Sequence, residues 1–182
     1  MSGRIDHSLF SLIVLTSVGA AAFDLARSKI PNFITFTGII LGLTFGFIRG
    51  GWLGLGDSFL GVSLALLFTG WMYLFGGLGA GDIKLYMALG ALGGWRYGLE
   101  VVIVSLLVGG LVALVVLGVR GQLFRFLYQI YRFLLTRIVR ELEPEPLLLG
   151  NLNTFPFGLP IGVAAIWCSV DEPLRWIGWR LW

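Results

Sequence analysis

One cysteine and one histidine are all that 182 residues hold of thiol and imidazole chemistry. A lone Cys168 can form neither an internal disulfide nor a C-x-x-C metal site. Its setting in the apolar run Ile166-Trp167-Cys168 reads as that of an inert core thiol. With His7 as the only histidine, there is no H-E-x-x-H zinc motif and no basis for a Ser-His-Asp triad. Charge is scarce as well. Only 13% of residues are charged, against 57% hydrophobic and 14% aromatic, and the mean hydropathy is +0.90. A soluble globule needs far more charged surface. The net charge of +3 could indicate a nucleic-acid partner. The arginines, however, cluster beside apolar segments, where anionic lipid headgroups are the simpler partner. If the chain is a hydrolase, its carboxylates must do the work.

What the chain has in abundance is apolar runs with charges gathered at their ends. They cover Leu9–Phe23, Phe33–Ile48, Trp52–Phe75, Ile83–Gly94, Leu99–Val119 and roughly Phe157–Val170. This pattern predicts an all-α polytopic membrane protein, one integral-membrane domain over residues 1–182 with about six transmembrane helices. The fourth run is short for a bilayer, so five spans is the alternative. The first run, ending in Ala20-Ala21-Ala22, is like a signal peptide, but Asp6 spoils the basic flank and an uncleaved helix is expected. The positive-inside rule puts Arg27, Lys29, Lys84 and the arginines of 120–140 on the inner side. Arg4, Arg49, Arg96, Arg175 and Arg180 then lie outside. Residues 120–142 form a basic amphipathic pattern, with Arg125, Arg132, Arg137 and Arg140 opposite Phe124, Leu127, Tyr131, Leu134, Leu135 and Ile138. An interfacial helix is expected there, ended by Pro144 and Pro146. Trp176, Trp179 and Trp182 look like an aromatic anchor at the opposite interface.

Two stretches read G-x-G-D: Gly54-Leu55-Gly56-Asp57 and Gly79-Ala80-Gly81-Asp82. Carboxylates at membrane depth are functional candidates by default, and the predicted topology separates the four near apolar runs. Asp24 ends the first helix and Asp82 opens the fourth, both on the inner side, whereas Asp57 and Glu100 fall near outer ends. Only Asp24 and Asp82 can meet, so Asp57 carries the decoy motif. Two facing carboxylates can hydrolyse an amide without a metal, one ionised and activating water, the other protonated and serving as acid. Glycines at 79 and 81 would let an extended substrate backbone approach Asp82. The plainer alternative makes Asp82 an N-cap and the glycines packing contacts. Lys84 lies about 200° around a helix from Asp82, so it should snorkel to headgroups instead of pairing there. Pro31-Asn32 reads as a turn and helix cap. Arg27 and Lys29 are explained by orientation alone.

Three stretches together resemble the type IV prepilin peptidases, which are intramembrane aspartyl proteases. Phe23-Asp24-Leu25-Ala26-Arg27-Ser28-Lys29-Ile30-Pro31-Asn32 resembles the family's first aspartate followed by basic residues and I-P-N. Gly79-Ala80-Gly81-Asp82-Ile83-Lys84-Leu85 resembles its G-x-G-D-x-K-L motif, and Phe155-Pro156-Phe157-Gly158-Leu159-Pro160-Ile161 its late P-[YF]-G segment. The resemblance implies Asp24 and Asp82 as the catalytic pair. It also implies Gly79, Gly81, Lys84, Pro31, Asn32, Pro156 and Gly158 as residues that bind substrate or shape the site, with no cofactor and no metal. Cleavage of a prepilin leader, usually after a glycine, would take place at the inner face of the bacterial cytoplasmic membrane. Implied partners are the prepilin, membrane lipids and the pilus assembly machinery, with no nucleic acid. Larger members carry an N-terminal cytosolic domain with paired cysteines and also methylate the new amine. This chain begins almost directly at its first helix, with one cysteine and no glycine-rich cofactor loop. It is more similar to the short, peptidase-only members that serve tight-adherence (Flp) pili. The Arg120–Pro146 stretch has no place in the pattern. The competing readings are another G-x-G-D protease, such as a preflagellin or presenilin-like enzyme, and a non-catalytic transporter or scaffold.

Overall fold

The computed structural model describes residues 7–27, 29–74, 77–119 and 157–170, with Gly121, Phe124, Tyr128, Tyr131 and Arg132 between them. Four helices account for nearly all of these positions: α1 (His7–Arg27), α2 (Asn32–Leu74), α3 (Ala80–Val119) and α4 (Gly158–Val170). The chain forms two compact units. One comprises Met1–Val108 with Pro156–Trp182, and the other Gly109–Phe155.

The length of α2 conceals a reversal. A continuous helix of 43 residues would be about 65 Å long, roughly twice the hydrocarbon thickness of a bilayer. The helix instead breaks at Gly51, whose φ of 56° lies in the left-handed region that a Cβ disfavours. Beyond the break the chain runs back along itself. Ser58 Oγ donates to the Gly42 carbonyl at 3.4 Å, and Gly54 lies so close to the Gly46 carbonyl that a Cβ there would overlap it. Pairings of 46 with 54 and 42 with 58 describe an antiparallel helical hairpin, with arms over residues 32–50 and 52–74. The same device recurs in α3 at Gly94 (φ 83°). Beyond it, a Cβ on Gly98 would lie 2.9 Å from Gly90 Cα, and the Tyr86 hydroxyl stands 2.6 Å from Ser105 Oγ. The four helices therefore hold six helical stretches, each overlapping one of the six apolar runs. By length and composition α1, α2 and α3 can cross a membrane, and α4 is a shorter apolar helix.

Side-chain size is distributed in reverse of a soluble core. The buried positions of α2 are Thr35, Gly38, Gly42, Ser58, Gly61, Ala65 and Thr69, all small. Its bulky residues, among them Phe33, Ile40, Leu53, Leu67 and Trp71, point outward. Small residues at the contacts let backbones approach closely, and large apolar ones suit lipid tails, which is how helices pack in a membrane. Gly61 and Gly90 take this to its limit, since a Cβ on either would run into the other's carbonyl oxygen.

The short arm of α3, residues 80–93, is enclosed by protein. Ile83, Leu85, Tyr86, Ala88, Leu89, Ala91 and Leu92 are all buried. At about 20 Å it is too short to match a bilayer by itself, and enclosure removes the need for a match. Tyr97 ties the following arm to α4, donating to the Ala165 carbonyl at 2.8 Å with Ser169 Oγ 3.1 Å away. In the second unit, Phe124, Tyr128 and Tyr131 are helical and exposed, and their spacing puts them on one face. The rest of the expected interfacial helix and the tryptophan tail lie outside the described residues.

Gly94 makes this account testable. Its positive φ disfavours a side chain by about 1–2 kcal/mol, and a Cβ there would collide with the Asp57 carboxylate. Gly94→Ala is expected to lower the unfolding temperature in detergent by several degrees. Gly50→Ala, where a Cβ meets nothing within 4 Å, should leave it unchanged or slightly higher.

Candidate active site

The first turn of α3 is built around Asp82. The amides of Asp82 and Ile83 both donate to the Gly79 carbonyl, at 3.1 and 3.3 Å, which starts the helix. In return Asp82 Oδ2 accepts the Gly79 N–H at 3.1 Å. This is one half of a capping box, the carboxylate at the third helical position reaching back to the cap N–H, with the Gly79 carbonyl standing in for the side chain that glycine lacks. The N-cap expected at Asp82 is thus displaced by three residues, because the helix starts at Ala80. Asp82 is 9% exposed.

Asp24 occupies the last turn of α1 and is 8% exposed. It lies on a buried face with Ile13, Ser17 and Ala20, at helical spacing. Asp24 Oδ2 accepts the N–H of Gly158, the first residue of α4, at 2.8 Å. Donors at a helix start have no partner within the helix, and the dipole there favours a carboxylate. The approach requires glycine: a Cβ at 158 would sit 2.8 Å from Asp24 Oδ2 and 2.9 Å from its Cβ. Asp24 and Asp82 are near enough for their charges to repel one another. Two carboxylates from separate helices, nearly excluded from water and each held by a backbone N–H, thus stand at the same end of the unit, within range of one another's charge. Such a pair can share the roles of base and acid.

The second G-x-G-D aspartate stands elsewhere. Asp57 accepts a hydrogen bond from the backbone of Trp95 and feels the charge of Arg96. It sits over the break at Gly94, about 18 Å along the short arm from Asp82. Its work is to cap the arm that restarts there. Glu100 lies in that restarted arm and interacts with Tyr97 and the buried Cys168. Among the described residues, no group of three or more His, Cys, Asp and Glu could hold a metal ion.

Two expectations are corrected and one is completed around Asp82. Lys84 has a partner within the protein that the sequence does not suggest: its Nζ donates to Asn32 Oδ1 at 2.8 Å and lies over the Phe36 ring, 5.8 Å from the centroid. Asn32 accordingly spends its side chain on Lys84 and not on a cap, while the Pro31 carbonyl accepts the Ile34 N–H at 3.1 Å to open α2. Gly81 offers no open path to a substrate. Its bare face is taken by Ile30, whose Cβ would be 3.3 Å from a Cβ at 81. Gly79 is exposed, and a Cβ there would lie 3.1 Å from Asp82 Oδ2. Pro156 lies outside the described residues.

The Gly158 amide and the Lys84–Asn32 bond could not be found by reasoning on local sequence. Their partners are 134 and 52 residues apart, and neither a backbone N–H nor a neutral amide leaves a compositional trace. Only the presence of glycine at 158 hints at a close approach.

A sequence profile of the type IV leader peptidase family matches residues 9–114, a stretch that contains Asp24, Asn32, Asp82 and Lys84 but stops short of Gly158. Comparison with curated proteins and with solved structures finds no significant match.

The contact between α4 and Asp24 predicts a chemical signature. Gly158→Ala should push the Asp24 carboxyl off its donor and open it to solvent. Modification of Asp24 by a water-soluble carbodiimide, mapped by mass spectrometry, is expected to rise several-fold over wild type.

Proposed function

Because the chain belongs to the type IV leader peptidase family, we propose that it is a membrane-embedded aspartic endopeptidase that removes the leader of prepilin-like substrates, with Asp24 and Asp82 as its catalytic pair. The observation that carries this reading is that both stand at one end of the helices, within range of one another's charge, while Asp57, with the same local motif, stays at the other. One carboxylate, ionised, takes a proton from water as the water oxygen bonds to the scissile carbonyl carbon. The other, protonated, gives its proton to the carbonyl oxygen. When the tetrahedral adduct collapses, its C–N bond breaks, and the proton first taken from water goes to the leaving amine. One hydroxyl of the adduct returns a proton to the second carboxylate as the new carboxyl group forms. Repulsion between the carboxylates maintains this division, because both cannot easily be ionised at once.

The hairpin breaks at Gly51 and Gly94 favour six membrane crossings. Arg27, Lys29 and Lys84 stand at the aspartate end of the helices and Arg49 and Arg96 at the turns, which favours the cytoplasmic face for the site and the bacterial inner membrane for the protein. The substrate would present its leader junction at that face. The new amine would leave unmethylated, since the single cysteine and the lack of a glycine-rich loop after a strand give no sign of a methyl-donor site. Service to a tight-adherence pilus system, in contact with its assembly machinery, completes the reading.

Cleavage of a short-leader prepilin by the purified protein tests it. Asp24→Asn and Asp82→Asn are each expected to lower the rate by about 10³-fold or more, in line with the loss of a general acid or base, and Asp57→Asn should cleave near the wild-type rate. Retained cleavage in Asp82→Asn would refute the paired-carboxylate mechanism. Metal chelators and reagents directed at serine or cysteine should leave the rate unchanged, and a supplied methyl donor should leave no label on the product. If no form cleaves a short-leader substrate, wild type included, the prepilin reading fails. That leaves either a different leader as substrate or a scaffold, and other secreted leaders are then the test.

A further inference from the structure

We propose that Lys84 is a positioning residue for the aspartate pair: its bond to Asn32 straps the turn between α1 and α2 to the first turn of α3, and so sets the distance from Asp24 to Asp82. The proposal rests on the peptidase reading above and goes beyond it. The two carboxylates belong to separate helices and repel one another, so something other than their own attraction must hold them in register. Asp24 is in the last turn of α1, and the chain next meets α3 at Ile30 and Asn32. Both are gripped by the residues that flank Asp82. Gly81, one position before it, receives Ile30, which is buried. Lys84, two positions after it, holds Asn32 Oδ1 at 2.8 Å and covers Phe36 one turn further along α2.

The chemistry of the strap suits a positioning role for the lysine. Its ammonium is spent on a neutral amide oxygen, in a charge-assisted bond that is shorter and stronger than one between neutral groups. Its position about 200° around the helix from Asp82 keeps it from the reacting atoms, so it is not a catalytic residue. A single bond at a partly exposed site adds little to global stability. Reaction rate is far more sensitive, because a misplacement of about 1 Å can lower it about 100-fold. The strap is therefore expected to show in turnover and not in folding.

The test measures kcat and KM separately for the full-length protein in lipid, with a short-leader prepilin, alongside its unfolding temperature. Lys84→Met and Asn32→Leu should each lower kcat by about 10- to 100-fold with KM within about twofold of wild type. The double variant should fall no further than the worse single one, since each change removes the same contact. Asn32→Asp, which offers Lys84 a carboxylate in place of the amide, should recover most of the loss seen in Asn32→Leu. If Lys84→Met does not fold, Lys84→Gln takes its place in the cycle. Wild-type kcat in Asn32→Leu together with loss in Lys84→Met would overturn the strap and assign the effect to the charge of Lys84 itself. Additive losses in the double variant, or a change confined to KM, would overturn it too. No cleavage by wild type would instead refute the prepilin reading.

Discussion

Two carboxylates within repulsive range, on different helices and almost without water, are the constraint that the rest of their unit answers. A charge in apolar surroundings is tolerated only with hydrogen-bond donors at hand. The middle of a helix has none to spare, because its amides are already paired. The ends do, and both aspartates are served there: Asp82 by Gly79 at the start of α3, Asp24 by Gly158 at the start of α4. The location of the pair at one end of the unit thus follows from where unpaired backbone N–H groups exist.

Holding helix ends in register then requires that the helices themselves not slide. Close contacts of backbone against backbone do this, at Gly61 against Gly90, at Gly46 against Gly54, and at Gly38, where a Cβ would lie 3.0 Å from that of Ala88. Large apolar side chains of the short arm of α3 are buried, whereas many of those of α2 take little part in these contacts and face outward. In lipid there is little hydrophobic gain from turning them inward, so shape and close approach must supply the specificity that burial supplies in water. The short arm at the centre is the extreme case, since everything around it is protein.

Much of this was legible in the residues alone, and the reason is physical. Apolar runs bounded by Arg49-Gly50-Gly51 and by Gly94-Trp95-Arg96 announced where the helices would turn, because a bilayer forbids charge and irregular backbone in its interior. The same topology put Asp24 and Asp82 at one end and Asp57 at the other, as the helices now do. Contacts at close quarters were not legible. Whether Asp82 sits at the cap or three residues into the helix depends on where the first turn closes, which a chain of three glycines in five residues leaves open. The orientation of Lys84 was understood only by exclusion: helical geometry says it cannot face Asp82, but not that Asn32 awaits it 52 residues upstream. The bare side of Gly81 reads as room for a substrate, yet is filled by Ile30. A missing side chain signals a close approach without saying by what.

The bond between Gly158 and Asp24 also has a meaning in time. The donor to Asp24 lies 134 residues further along the chain and is made correspondingly later. Until α4 is synthesised and docks, Asp24 lacks its partner and the end of α1 has nothing to close it. A half-made chain already carries both aspartates, yet not the arrangement that joins them. Completion of the last described helix is therefore the event that gives the buried Asp24 carboxylate its backbone donor.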